Sequence, residues 1–155
     1  MDKELHRIAI TAIVYNDEGK YLITQRSPSK KAFPSRWTFP GGGLNTDDYT
    51  ATPPTTKEGQ WYNVIEKGLR REIKEETGLE VEKPEYLLDL TFIRPDNIPV
   101  LVLSYFCKYA SGEVVLDEDS VAHAWVSLEE AKGYDLIDGL MDELEMVDKV
   151  LKERK

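Results

Sequence analysis

Residues 63–77 carry the strongest helical pattern in the sequence, and the rest of the chain must supply a surface for the face that this helix buries. Its apolar side chains recur every fourth residue, at Ile65, Leu69 and Ile73. This spacing places them on one face of an α-helix. Asn63 stands where a helix N-cap is expected and Gly78 where a C-cap glycine is expected. The sequence therefore predicts an amphipathic helix whose apolar stripe packs against a core.

Strand patterns surround this helix on both sides. Apolar or alternating runs bounded by turn residues predict strands at 8–15, 21–25, 37–39, 80–93, 99–109 and 122–127. Two further helices are predicted, a short one at 128–132 and an amphipathic one at 141–153. The elements do not alternate in a βαβ rhythm, so the predicted fold class is α/β of the α+β type, with a mixed β-sheet covered by helices. At 155 residues, we expect 1–155 to form a single domain.

Charge and cysteine content limit the partners and the setting. The chain has 20 Lys and Arg against 29 Asp and Glu, a net charge of −9. A protein that coats polymeric nucleic acid or an anionic membrane needs a basic surface, so both partners are disfavoured. The one cysteine, Cys107, lies in an apolar run and is predicted to be a buried core thiol. With no apolar leader or membrane-spanning run in view, we expect a reduced, cytoplasmic setting.

The predicted helix also carries a cluster of acidic side chains. Glu72, Glu75 and Glu76 fall within an arc of about 100° that borders the apolar stripe. Carboxylates crowded beside a core repel one another unless a cation lies among them, and hard oxygen ligands favour Mg²⁺ or Mn²⁺. A solvated acidic helix face is the alternative interpretation of the same pattern.

Two neighbouring residues favour the metal interpretation. Arg71 precedes Glu72 and can pair with Glu75 one turn later, which would orient a ligand. Gly68 falls inside the acidic arc, where a mid-helix glycine costs about 1 kcal/mol relative to alanine. A close approach by another backbone would explain it, and the glycine run 41–43 is the candidate that would bring carbonyl oxygens to the carboxylates.

At this point the sequence resembles a known family. Residues 71–79, Arg-Glu-Ile-Lys-Glu-Glu-Thr-Gly-Leu, fill every specified position of the second half of the Nudix box, Arg-Glu-U-x-Glu-Glu-x-Gly-U with U apolar. Residues 37–43 resemble the strand and glycine loop that open that box. The flanking order of strands and helices is also similar, so the resemblance covers nearly the full chain. It implies a Nudix-like α/β/α sandwich, with 63–78 as the catalytic helix.

The sequence departs from the box at the start of the helix. The family's pattern Gly-x5-Glu-x7-Arg has 13 residues between Gly and Arg, whereas 28 separate Gly42 from Arg71, an excess of 15. We place the extra residues in an insertion at 44–60, which is polar and aperiodic. Counted back from Arg71, the family's Glu is Asn63 here, which would keep the capping role and lose the charge. The position of the insertion suggests that it covers the pocket and sets specificity.

The resemblance implies an enzyme that uses water to split the diphosphate bridge of a nucleoside diphosphate linked to another moiety. Mg²⁺ or Mn²⁺ would be held by Glu72, Glu75 and Glu76 with the carbonyl of Gly41 or Gly42, and Gly42 is the favoured one. Arg71 would orient the ligands, and Glu72 and Glu75 are candidates for catalytic roles. The general base is either a box Glu or an acid of the later segment 117–119, where Glu118 is favoured and a solvated turn is the alternative.

The substrate is less well specified by the sequence. Arg26 and Trp61 are candidates for substrate binding, by phosphate contact and by stacking on a base, although Trp61 could instead pack against the helix start. Pro95 is similar to the proline of the ADP-ribose pyrophosphatase group, and the size and the 122–130 segment resemble the MutT-like group, which acts on nucleoside triphosphates. A catalytically inactive nucleotide-binding or regulatory module is the alternative function. Many members of the family are dimers, so a homodimer stays open.

Overall fold

The computed structural model describes residues 2–155, which form eight strands and four helices. The strands are β1 (Arg7–Tyr15), β2 (Tyr21–Arg26), β3 (Trp37–Thr38), β4 (Gly41–Gly43), β5 (Glu80–Val81), β6 (Glu85–Ile93), β7 (Pro99–Ser111) and β8 (Ser120–Val126). The helices are α1 (Asp47–Thr50), α2 (Val64–Thr77), α3 (Leu128–Ala131) and α4 (Leu140–Glu153).

The strands form one open, mixed sheet. β1 and β7 run parallel at its centre, and the remaining pairs are antiparallel. β4 and β2 pair with β1, β8 and β3 pair with β2, and β6 and β5 pair with β7. The predicted mixed sheet of an α+β fold is therefore confirmed.

Helices cover both faces of the sheet because β1 is buried on both sides. Its residues Ile10, Ala12 and Val14 pack with Leu69 and Ile73 of α2. The intervening Ile13 belongs to the second cluster, which includes Leu144 and Val147 of α4. Successive side chains of β1 point to opposite faces of the sheet, so they pack alternately against α2 and α4. The sheet therefore lies between two helical layers, in an α/β/α arrangement.

The predicted strands and helices are recovered with changes at their ends and two local differences. The segment expected as one strand at 80–93 is split into β5 and β6, and buried Pro84 lies between them, where its missing N–H cannot extend a ladder. The turn at 95–97 joins β6 to β7 as expected, with Asn97 at a φ of 67°. The segment 44–60 is not wholly irregular, because it contains the one-turn helix α1.

The two ends of α2 differ in how well they were predicted. Gly78 ends the helix in the left-handed conformation, at a φ of 77°, and its N–H donates to the carbonyl of Lys74, as expected of a C-cap. Asn63 occupies the N-cap position, as predicted, but the capping by its side chain is wrong. Asn63 also has a left-handed backbone, at a φ of 60°, and its side chain makes no capping hydrogen bond.

The thiol of Cys107 is buried in the core that packs against α2, as predicted, and burial raises its pKa to about 12. Across residues 2–155, no helix has both the length and the apolar character needed to cross a membrane.

Candidate active site

The glycine strand β4 lies directly against the acidic side of α2. A Cβ atom added to Gly42 would collide with the carboxylate of Glu72, so only glycine allows this approach. A Cβ atom added to Gly41 would collide with the carbonyl of Ile10 and the backbone of Thr11 on β1. The expected contact between the glycine run and the acidic face is therefore present, and it brings Gly42 and Glu72 together.

Gly68 does not make the contact that we expected of it. The atoms nearest to a Cβ placed there belong to the side chains of Leu44, Asp48 and Ile10, at 3.1–3.2 Å. The close approach at Gly68 is thus by side chains, and the glycine run meets the helix one turn later, at Glu72.

Glu76 is the most buried carboxylate of the cluster, with 7% of its surface exposed. Its Oε2 accepts a hydrogen bond from the N–H of Gly41 at 3.1 Å, and its Oε1 accepts one from the hydroxyl of Ser120 at 3.3 Å. Burial raises the pKa of Glu76 to about 7, with the Gly41 hydrogen bond opposing the rise and the charges of Asp117, Glu72 and Asp119 adding to it. The carboxyl is therefore surrounded by like charge.

Glu75 points away from this cluster. Its side chain is 58% exposed, and its Oε2 accepts a hydrogen bond from Nη1 of Arg71 at 2.9 Å, the predicted pairing one turn apart. Glu72 is more enclosed, and burial raises its pKa, while the charge and hydrogen bond of Arg71 oppose that rise. The structure brings Glu72 and Glu76 toward the glycine strand and leaves Glu75 at the solvent side.

Arg71 has a partner that the sequence did not suggest. Its Nη2 donates to Oδ2 of Asp48 at 2.9 Å, its Nε donates to Oδ1 of the same carboxylate, and its Nη2 also lies 3.1 Å from Glu72 and 3.2 Å from the carbonyl of Gly43. The Asp48 side chain is only 2% exposed. The two-point contact with Arg71 lowers the pKa of Asp48 and raises that of Arg71.

A spacing in the sequence could have revealed Asp48. Five residues separate Gly42 from Asp48, which is the spacing of the Gly-x5-Glu half of the box. Counting back from Arg71 led instead to Asn63, because we placed the additional residues before the acidic position. With Asp48 in that position, the additional residues lie between Asp48 and α2, and the charge that we expected to be lost is present.

Backbone hydrogen bonds hold the segment that precedes and includes the acids 117–119 against the end of α2. The N–H groups of Val115 and Asp117 donate to the carbonyls of Thr77 and Glu76, at 2.9 and 3.3 Å, so this segment runs across the C-terminal end of α2. Asp119 lines the cavity described below and pairs with Lys30 at 2.6 Å. Glu118 is exposed and does not line that cavity.

A cavity of about 650 Å³ opens beside the glycine strand, within the usual range for small-molecule sites. Gly41–Gly43 and Glu76 form one side of it. Five cationic side chains also line it, namely Arg7, Arg26, Lys30, Lys31 and Arg94. The cavity therefore combines buried carboxylates with cations suited to phosphate.

The two predicted substrate-binding residues lie in different places. Arg26 lines the cavity, where its Nε donates to the carbonyl of Ala32 at 2.9 Å; burial lowers its pKa, and the charges of Glu76 and Asp119 oppose that effect. Trp61 does not line the cavity. Its indole N–H donates to the carbonyl of Thr52 at 2.8 Å, and its ring lies 5.4 Å from that of Tyr49.

The insertion 44–60 contributes no residue to the cavity lining. The structure thus gives no support to the idea that it covers the pocket. The insertion contacts Arg71 of α2 through Asp48. The ring of its Tyr49 packs against Trp61, which follows the insertion in the chain.

The carboxylates of Glu72, Glu75 and Glu76 are ligands that suit a hard divalent cation, although their side chains do not all point to one place. Within residues 2–155, no three acidic, histidine or cysteine side chains converge on one point. Glu75 is turned toward Arg71 and Glu76 toward the Gly41 N–H, which accounts for this. Burial raises the pKa of Glu76, and the charge of Glu72 adds to that rise. Carboxylate oxygens with unbalanced negative charge beside a backbone of glycines fit Mg²⁺ or Mn²⁺.

Comparisons with known proteins agree with this geometry. A family model described as NUDIX domain matches residues 5–148. The nucleoside triphosphatase NudI of Klebsiella pneumoniae (strain 342) is 30% identical over 140 residues, which cover 84% of this chain and 88% of NudI.

Solved structures share the fold. The MutT protein from Methanosarcina mazei Go1 aligns with a TM-score of 0.73 at 24% identity, over 98% of this chain and 99% of that one. The NUDIX domain of Shewanella oneidensis NrtR, complexed with ADP ribose, aligns with a TM-score of 0.68 at 16% identity, over 98% and 90%. From the matched residues 5–148 and the NudI likeness, we conclude that the chain belongs to the NUDIX family and is a pyrophosphohydrolase of the Nudix type.

Proposed function

We propose that the chain uses water and a divalent cation to cleave the diphosphate linkage of a small nucleotide. The observation that carries this proposal is the meeting of Glu72 and Glu76 with the glycine strand at the side of a cavity of nucleotide size. Between a nucleoside triphosphate and an ADP-ribose-like compound, the name of NudI favours the triphosphate.

The residues of α2 and β4 would hold the cation. Glu72 and Glu76, with the carbonyl of Gly42, are the proposed ligands, and Glu75 would be a further ligand in place of its contact with Arg71. A bound Mg²⁺ or Mn²⁺ supplies Lewis-acid stabilisation of phosphate charge and lowers the pKa of the attacking water. Arg71, fixed by Asp48, holds Glu72 in place through the 3.1 Å contact.

The cations of the cavity would bind the substrate's phosphates. Arg26 lines the cavity with its Nε donating to the carbonyl of Ala32, and its guanidinium suits a phosphate oxygen pair. For the general base, Glu118 stays a candidate from the sequence, and Asp119 is a second candidate because it lines the cavity.

A substrate panel tests the proposal. The purified chain is incubated with Mg²⁺ or Mn²⁺ and with each nucleoside triphosphate, ADP-ribose and a sugar nucleotide, and the products are separated by ion-exchange chromatography. We expect cleavage of the diphosphate linkage in at least one substrate and loss of the activity with excess EDTA. Nucleotide binding without cleavage of any panel member would overturn the proposal and leave a binding or regulatory module.

A further inference from the structure

Glu143 of α4 is a buried acid that the proposed chemistry does not use. The residue lines the cavity, yet only 3% of its surface is exposed. Its Oε1 atom has no hydrogen-bond partner among residues 2–155. Native proteins rarely leave a buried polar atom unpaired, and such an atom at a cavity wall is available to a ligand.

Two hydroxyl groups, on neighbouring strands of the sheet, lie beside the carboxyl of Glu143. Burial raises the pKa of Glu143, and the nearby Ser104 hydroxyl opposes that rise. The hydroxyl oxygens of Ser104 on β7 and Thr11 on β1 are 3.4 Å apart. Both residues line the cavity, and both occupy neighbouring, paired positions of β7 and β1. The three side chains form a polar strip on the sheet face that α4 covers.

The strip is set between apolar walls. Phe39, Ile137 and Leu140 line the cavity, and Phe39 is itself 3% exposed. A flat ring with a polar edge, such as a nucleobase, matches walls that are apolar and a floor that offers hydrogen bonds.

The strip also lies at a suitable separation from the acidic face of α2. Thr11 is the register partner of Gly41, whose N–H donates to Glu76. The path from β7 through β1 to β4 crosses two strand spacings, about 10 Å in total. This is the scale of a nucleoside, so a ligand with its base at Glu143 can place its phosphates near the glycine strand.

We infer that the end of the cavity formed by Glu143, Ser104 and Thr11 is the nucleobase subsite, and that the Glu143 carboxyl accepts an N–H from the Watson–Crick edge of the base. This inference rests on the proposed function for the identity of the ligand. The competing explanation is that Glu143 has only a structural role in packing α4 against the sheet.

Variants of Glu143 separate the two explanations. Glu143→Met removes the acceptor at similar volume, Glu143→Gln keeps a carbonyl acceptor, and Glu145→Gln alters an exposed acid on the same helix as a control. We expect Glu143→Met to lower kcat/KM for the best nucleotide by about tenfold, mainly through KM. Glu143→Gln should retain most of the activity, and Glu145→Gln all of it. Tripolyphosphate, which has no base, should be cleaved equally by all four proteins.

A methylated ligand provides a test that needs no variant. Binding of a nucleoside monophosphate, followed by calorimetry, is compared with binding of the same nucleotide methylated on the ring nitrogen of its Watson–Crick edge. Weaker binding of the methylated form to the wild type, and no such difference in Glu143→Met, is the expected result. Equal binding of both forms to the wild type, or an equal loss with tripolyphosphate in Glu143→Met, would overturn the inference. If no substrate is cleaved at all, the proposed function fails, while the calorimetric comparison still decides the role of Glu143.

Discussion

Arg71 is the residue on which the acidic face of α2 depends. It contacts Asp48 at two points, Glu75 one turn ahead, Glu72 beside it, and the carbonyl of Gly43. A planar guanidinium can hold several oxygens in a fixed arrangement, which an ammonium cannot do. Asp48 and Arg71 therefore set the position of Glu72 relative to the glycine strand.

Asp48→Asn is predicted to weaken this arrangement. The variant keeps the shape of the side chain and removes the charge, so the free energy of unfolding should fall by about 1.5–3 kcal/mol. Loosening of Glu72 should lower kcat by about tenfold or more. Asp47→Asn, an exposed neighbour on α1, is the control and should match the wild type in urea melts and in activity. Equal behaviour of the two variants would show that Asp48 does not position Arg71.

Glu143 gives a prediction about pH. Burial raises its pKa above the ordinary 4.5, and the nearby Ser104 hydroxyl opposes part of that rise. The folded state then retains a proton that the unfolded chain releases near the ordinary value. Stability from this group is therefore lost as the pH rises above about 4.5 and through the raised pKa. Urea melts from about pH 5 to 8 should show Glu143→Gln gaining stability relative to the wild type as pH rises, and a constant difference would contradict the burial effect.

Among the elements, α2 could be predicted from sequence because its determinants are local. The four-residue apolar period and Gly78 act within one helix, and both give the observed result. The capping expected of Asn63 is not observed, because the residue occupies the N-cap position with a left-handed backbone and its side chain makes no capping hydrogen bond. The burial of Glu76 was not predictable either, since it requires the segment 115–117 to cross the end of α2 and Ser120 to reach the carboxylate.

The insertion is the element whose role changed most. Asp48 reaches α2 from its one-turn helix, while the tip is closed by a hydrogen bond between the N–H of Thr55 and the carbonyl of Gln60. Asp48 could be found from its spacing to Gly42, but its contact with Arg71 could not, because long-range pairing is not encoded in a local pattern.

Shortening the tip should separate these two parts of the insertion. Replacement of residues 56–59 by Gly-Gly keeps Asp48 and the Trp61 contacts, so kcat/KM and the order of preferred substrates should stay within about twofold of the wild type. The same substrate panel measures this. A changed order of preferred substrates would show that residues 56–59 contact the substrate, although they do not line the cavity.

At the scale of the whole molecule, charge is distributed unevenly around one cavity. The net charge is −9, yet five basic side chains line the cavity. The acidic total argues against a polymeric nucleic acid, which needs a broad basic surface. The basic lining and the acids of α2 suit a small phosphorylated ligand bound together with a cation.

The most direct test of the central claim is the hydrolysis rate of Glu76→Gln at saturating Mg²⁺. Glu66→Gln is the control, because Glu66 lies on the same helix and pairs only with Arg70 in the described part of the chain. If the acids beside the glycine strand hold the cation, Glu76→Gln lowers kcat by about 100-fold or more while its circular dichroism stays that of the wild type. Glu66→Gln should remain within about twofold. An unchanged rate in a folded Glu76→Gln variant would contradict the account.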